Sequence, residues 1–223
     1  MNGGGGSSKD SFVTGSNFDL GLGTIKQGGT ISPVGGFGGG QIGYNWQIAA
    51  PWVVGLEADI QAGSIQDSNT VTVFNNGGFD FDDGALVAYA KTNLDWFGTV
   101  RVRAGYTFYD NRVLSYVTGG VAFGGVKDTL TVSEHSGGEP LLFGSVSSNK
   151  TKTGWIIGSG IEGFITPALT LRAETDYMSL GSTTLATGTQ PDGGGFDAPF
   201  GSATLNHKYW FTRLGLNYKF GTW

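Results

Sequence analysis

The chain of 223 residues contains no cysteine, which excludes disulfide frameworks, thiolate metal sites and a cysteine nucleophile. Charge is scarce: Asp, Glu, Lys and Arg make up 14% of the residues, and the net charge is −5. No basic cluster occurs, which argues against nucleic-acid binding. Long apolar runs are missing too. No window approaches the ~18 uncharged apolar residues of a transmembrane helix, so any membrane crossing has to be made by strands. The opening MNGGGGSSKDSF has neither the charged segment nor the apolar segment of a secretory signal. The expectation is that the sequence is mature or clipped, or that its start codon is misplaced.

What the chain does have is glycine, at 41 residues, and long alternating runs. The clearest lies between Leu94 and Gly124. Even positions read Trp96, Gly98, Val100, Val102, Ala104, Tyr106, and odd positions Asp95, Phe97, Thr99, Arg101, Arg103, Gly105. Strict alternation is the period of a strand with two unlike faces. Asp110-Asn111 supplies a tight turn, and Tyr116 to Phe123 returns. At ~3.3 Å per residue and a tilt of ~40°, Trp96 and Tyr106 stand ~25 Å apart along a barrel axis. That is the height of the apolar band of an outer-membrane barrel, with an aromatic residue at each edge. The hairpin therefore reads as membrane-spanning, its charged face turned to a lumen.

Three further regions alternate in the same way. Gly38–Ile48 and Trp52–Gln61 flank Ala49-Ala50-Pro51; Thr153–Ile165 and Ala168–Leu180 flank Thr166-Pro167; and Trp210 to Phe220 closes the series. Polar segments, Ala62 to about Thr92, Lys127–Lys152 and Gly181–Asn206, read as long loops, and residues 1–33 as an N-terminal Gly/Ser-rich loop before a barrel over 34–223. Short turns on one side and long loops on the other is the asymmetry of bacterial outer-membrane barrels. Seven strands are readable. Closure requires an eighth, because a free edge is costly in lipid. Either Ser16–Ile25 serves, or that strand lies upstream of Met1, which is the preferred expectation.

The segments GGGQIGYNWQ, VGLEADIQ, LDWFGTVRVRAGY, YVTGGVAFGG, TGWIIGSGIE, LTLRAETDYMSLG and RLGLNYKF resemble the porin-like, opacity-protein-like small outer-membrane barrels of alphaproteobacteria, from about Gly38 to Phe220. The resemblance implies an all-β, eight-stranded, antiparallel up-and-down transmembrane barrel similar to the transmembrane domain of OmpA, placed in the cell outer membrane. It implies outer-membrane lipid and lipopolysaccharide as surroundings, and the barrel-assembly machinery as a partner in biogenesis. Family members generally begin with an aromatic-rich first strand and end on the Phe of the last strand. Here Gly221-Thr222-Trp223 follow Phe220.

The alternation turns Glu57, Asp59, Glu162, Glu174 and Asp176 inward together with Arg101, Arg103, Arg172, Arg213 and Lys219. An eight-stranded lumen is just filled by side chains, so five acids facing five bases read as an ion-pair plug, with a selective solute path as the alternative. Trp46, Trp52, Trp96, Tyr106, Trp155, Tyr177, Trp210 and Tyr218 read as membrane-interface anchors. Gly38 to Gly43 matches G-x-G-x-x-G in form only, since no helix follows it. His135 and His207 are the histidines of the chain, and some members of the family resembled are associated with haem. Each is thus a candidate axial ligand, although a lone loop histidine is more often just solvated. No spacing supports Ser/His/Asp catalysis, and no cofactor is assigned. Asp80, Asp82 and Asp83 could ligate Ca²⁺ but lack EF-hand spacing. Asn149-Lys150-Thr151 is a formal glycosylation sequon. Three functions follow: a structural, surface-exposed barrel without catalysis whose loop ligand is unknown, a small-solute porin, or a soluble lipocalin-like binder. The last needs apolar residues inside and polar ones outside.

Overall fold

The computed structural model describes residues 2–7, 14–19, 24–29, 34–74, 85–135, 141–187 and 201–220. Ten strands occur in them: β1 (Asn2–Ser7), β2 (Thr14–Asp19), β3 (Thr24–Gly29), β4 (Val34–Ala49), β5 (Trp52–Phe74), β6 (Ala85–Phe108), β7 (Val113–His135), β8 (Leu141–Thr166), β9 (Leu169–Thr187) and β10 (Gly201–Tyr218). In space the order β1-β10-β9-β8-β7-β6-β5-β4 forms a closed antiparallel barrel, and β2-β3 is a separate hairpin.

Neighbours in the wall are neighbours in sequence, so each pair from β4 to β10 is a hairpin. At one end the connections are minimal: residues 50–51, 109–112 and 167–168. The β6–β7 turn places Tyr109, Asp110 and Asn111 at positive φ, a region that Asp and Asn tolerate better than most residues. This is the turn end of the barrel, opposite a far end where residues 75–84, 136–140 and 188–200 connect the strands.

β1 closes the wall between β4 and β10. It pairs with Val34 to Gly39 of β4 and with Thr212 to Gly215 of β10, so it spans only the half of the seam nearer the far end. Nearer the turn end, Gln41 donates its side-chain amide directly to Asn217 across the seam. The eighth position is therefore filled by Asn2–Ser7. This corrects the expectation that Ser16–Ile25 would close the barrel, and that residues 1–33 would be loop throughout. NGGGGS has no strand propensity to betray it, and its place follows from backbone pairing with the equally glycine-rich start of β4.

The polar segments expected as loops are largely strand. β5 to β8 run 23, 24, 23 and 26 residues, well past the ~25 Å needed to cross a bilayer. Two devices hid this in the sequence. Beyond the belt the outward face no longer has to be apolar. In addition, bulges break the period of two. Leu94 pairs with Val126 and Trp96 with Gly125, so Asp95 is an extra residue and sits exposed instead of facing inward as expected. On β9, Ser179 pairs with Lys208 and Ser182 with Asn206, so Leu180 and Gly181 together oppose His207. Gly181 takes φ 79°, the left-handed conformation glycine adopts without steric cost. Its bulge resets the parity of β9, so that Thr183 and Leu185 point inward beyond it.

The buried apolar cluster lies inside the barrel. It gathers Phe37, Ile65, Leu94, Phe97, Ala122, Val126, Ile156, Met178, Leu180, Tyr209 and Phe211.

Candidate functional site

The wall separates two chemistries residue by residue. Val100, Val102, Leu214 and Leu216 are 47%, 58%, 57% and 45% exposed, while Arg101 and Arg213 are each 1% exposed. A water-soluble barrel would reverse this, which excludes the lipocalin-like reading. The exposed apolar row continues through Ile42, Leu56, Ile60, Val117, Val121, Ile157 and Leu171. Aromatic residues border it. Toward the turn end stand Trp46, Trp52, Tyr106 and Tyr218, with Trp52 and Tyr106 edge-to-face at 5.4 Å. Toward the far end stand Trp96, Trp155, Tyr177 and Trp210; Tyr177 lies 5.3 Å from Trp155 and 5.0 Å from Trp210, a continuous row across β8, β9 and β10.

Inside, the structure brings most of the inward charges into one net. Arg101 on β6 is its hub, bonded to Glu57, to Asp59 at 2.9 Å, to Glu174 at 2.6 Å and to Asp176 at 3.2 Å. Arg213 on β10 reaches Glu174, Asp176 at 3.1 Å and Asp59 at 3.4 Å. Arg172 on β9 bonds Glu57 at 2.5 Å and lies 3.5 Å from Glu174. Arg103 bonds Glu162 at 2.9 Å and stacks 3.8 Å over the Tyr116 ring, whose hydroxyl donates to Glu174 at 2.5 Å. Glu162 also accepts from Thr170 at 2.7 Å and Asn217 at 3.1 Å. Lys219 is half-buried at the turn end, with its ammonium 5.1 Å from the Phe164 ring. The net thus sets four guanidiniums against five carboxylates. Every member comes from a strand, at a position where the alternation points inward.

Above this net the lumen is apolar. Phe37, Phe97 and Phe211 form a triangle with ring centroids 5.3, 5.4 and 5.2 Å apart. Phe97 and Phe211 lie two residues beyond Thr99 and Arg213 on the same inward rows, so their place was readable. Phe37 was missed because its strand begins before the alternation becomes visible at Gly38.

Farther still, beyond the aromatic row, is a buried polar group that the sequence did not reveal. His207 Nε2 lies 2.9 Å from Thr183 Oγ1 and 3.3 Å from Asp128 Oδ2, and Thr92 donates to Asp128 at 2.8 Å. The pairing of β8 with β9 stops at Trp155 and Ser179, so this group and a bond from Lys152 Nζ to the Ser182 carbonyl tie the diverging hairpins together. Burial pushes the Asp128 carboxyl up, but hydrogen bonds from His207, Thr92 and Thr183 and the attraction of His207 outweigh it, and the carboxyl is held below its ordinary value. These contacts occupy the Nε2 face of His207. The His135 side chain and Asp80, Asp82 and Asp83 lie outside the described residues. Gly38 to Gly43 sit within β4. Among the described residues no cluster of His, Asp and Glu has metal-binding geometry.

A closed antiparallel barrel with an apolar exterior between aromatic borders and ion pairs within is a transmembrane β-barrel. The comparisons with known proteins agree: the chain belongs to the outer membrane protein beta-barrel domain family, which matches residues 3–220. It is 36% identical over 187 residues to the 31 kDa outer-membrane immunogenic protein of Brucella melitensis, covering 83% of this chain and 67% of that protein. It is 33% identical over 165 residues to the 22 kDa outer membrane protein of Rhizobium leguminosarum bv. viciae, covering 71% of this chain and 62% of that one. The crystal structure of Ail, the attachment invasion locus protein of Yersinia pestis, is similar at 14% identity, covering 98% and 93% of the two chains with a TM-score of 0.36. The protein is an outer-membrane protein of the Gram-negative envelope.

Proposed function

We propose that this barrel has a structural, surface-exposed role and performs neither transport nor catalysis. Its turn end faces the periplasm, and its far end carries the extended hairpins and their loops outside the cell. The observation that carries this reading is the double filling of the lumen: the Arg101 net across the middle and the Phe37–Phe97–Phe211 triangle above it. A solute path would have to breach both layers, breaking buried ion pairs and displacing packed rings. The long strand extensions support the presenting role, since they raise the loops well beyond the apolar belt. One relative is named an outer-membrane immunogenic protein, which fits a surface that is seen from outside.

Single-channel recording in planar bilayers tests this. The purified, folded protein is expected to give no current steps above baseline at moderate voltage. Reproducible steps of uniform size would overturn the plug and make the protein a small-solute porin.

A further inference from the structure

Between its two aromatic borders the outward face is apolar, through residues such as Leu56, Ile60, Val100, Val121, Leu171 and Leu214, with one interruption. Ser159 on β8, Thr175 on β9 and Thr212 on β10 all lie on outward rows and are exposed. Ser159 pairs with Thr175, and Thr175 with Thr212, so the three hydroxyls stand in one row across three strands. Among the described residues, no other Ser, Thr, Asn, Gln or charged side chain faces outward inside the belt. Thr175 lies two residues inside Tyr177, about 7 Å along the strand and about 5 Å in depth, so the row sits in hydrocarbon, below the headgroups.

Acyl chains cannot satisfy these groups. A hydroxyl carries one donor and two lone pairs. Thr175 Oγ1 and Thr212 Oγ1 lie 3.3 Å apart, and that single bond leaves capacity on both. The row therefore fits a protein surface that presents hydroxyls at the same depth. A second copy of this chain does so by construction: in the same membrane and orientation, its own row lies at matching height. Hydroxyls both donate and accept, so the row is complementary to itself, as a two-fold contact requires. Relief on this wall is low as well. The next outward residue of β9 is Ala173, and beyond β10 lies β1, whose four glycines carry no side chain. Small residues let two barrels approach within hydrogen-bonding reach.

We infer that two copies of the barrel associate side by side in the membrane through the row Ser159–Thr175–Thr212, with Thr175 of one copy against Thr175 of the other about a two-fold axis along the membrane normal. Such a pair forms whichever end faces outside, since both copies share one orientation, and it leaves the filling of each lumen untouched.

The chain has no native cysteine, so Thr175→Cys can be compared with Ile60→Cys on β5, across the barrel. Ile60 lies two residues inside Ala62, the partner of Trp96, and so matches Thr175 in depth. In bilayers at high lipid dilution, oxidation by copper phenanthroline is expected to link Thr175→Cys into a covalent dimer at least tenfold faster than Ile60→Cys. A second readout is energy transfer between donor- and acceptor-labelled Arg112→Cys protein, labelled at the exposed turn end and followed across lipid dilution. Removing the hydroxyls with S159A/T175V/T212V should weaken association at least tenfold, whereas T175S/T212S should keep it. Equal linking rates at the two cysteine positions, monomers at every lipid ratio, or unchanged association of the hydroxyl-free triple variant would overturn the proposal. Channel current would remove the plug and leave these expectations as they stand.

Discussion

Arg101 on β6 and Glu174 on β9 meet across the lumen at 2.6 Å, both buried, while the residue that follows Arg101 in the chain, Val102, faces outward. One step along a strand thus passes from an ion-pair core to a lipid-facing surface. Replacing Arg101 by Leu leaves Glu57, Asp59, Glu174 and Asp176 without their shared guanidinium. Removing one partner of a buried pair typically costs about 3–5 kcal/mol. Urea titration of the protein refolded into phospholipid vesicles should show a loss of that order, and a change below about 1 kcal/mol would show that the net does not hold the barrel.

Val102 tests the other face. It lies midway between Trp96 and Tyr106, near the centre of the apolar belt. A Val102→Arg change places a charge at the bilayer midplane, at a cost of about 2–4 kcal/mol. The same titration reads it, and the penalty should shrink as the bilayer is made thinner.

The aromatic triangle predicts coupling. Phe97→Ala and Phe211→Ala should each destabilise by about 3–5 kcal/mol, the usual cost of truncating a buried Phe. Because the rings touch at 5.2 Å, the double variant should lose less than the sum. Strict additivity would mean the rings do not pack as one layer.

Asp128 predicts a dependence on pH. Its carboxyl is held below the ordinary value by His207, Thr92 and Thr183, so the folded state favours the carboxylate. Stability from this source is present above the unfolded value of about 4 and is lost as pH falls through the lower folded value. Amide exchange in the outer parts of β7, β9 and β10 should therefore accelerate below about pH 4. An Asp128→Asn variant should exchange faster at neutral pH and lose this acid response. An unchanged acid response in that variant would assign it to other groups.

How much of this was legible in the sequence depends on where the solvent changes. Between Trp96 and Tyr106 lipid lies on one side and ion pairs on the other, so Val100 and Arg101 announce their faces by type alone. Beyond Trp96 water replaces lipid, Lys91 and Lys127 are as acceptable outside as Val100 is below, and the strands read as loops. The bulges at Asp95 and Gly181 then shift the parity, which hid the inward turn of Thr183. The partnership of His207 with Asp128 was illegible for another reason: it joins β10 and β7, strands that are not neighbours in the wall, and no local pattern encodes that contact. β1 left no signal because glycine has no side chain to alternate.

The central claim is that the apolar rows face lipid and the charged rows face the lumen. With no native cysteine, single nitroxide labels can be attached at Val100→Cys, Val102→Cys and Leu214→Cys in the protein reconstituted into bilayers. Each label is predicted to collide freely with oxygen, which partitions into the acyl chains, and rarely with a water-soluble nickel chelate. High nickel access at these positions, or labels shielded from both reagents, would contradict the account.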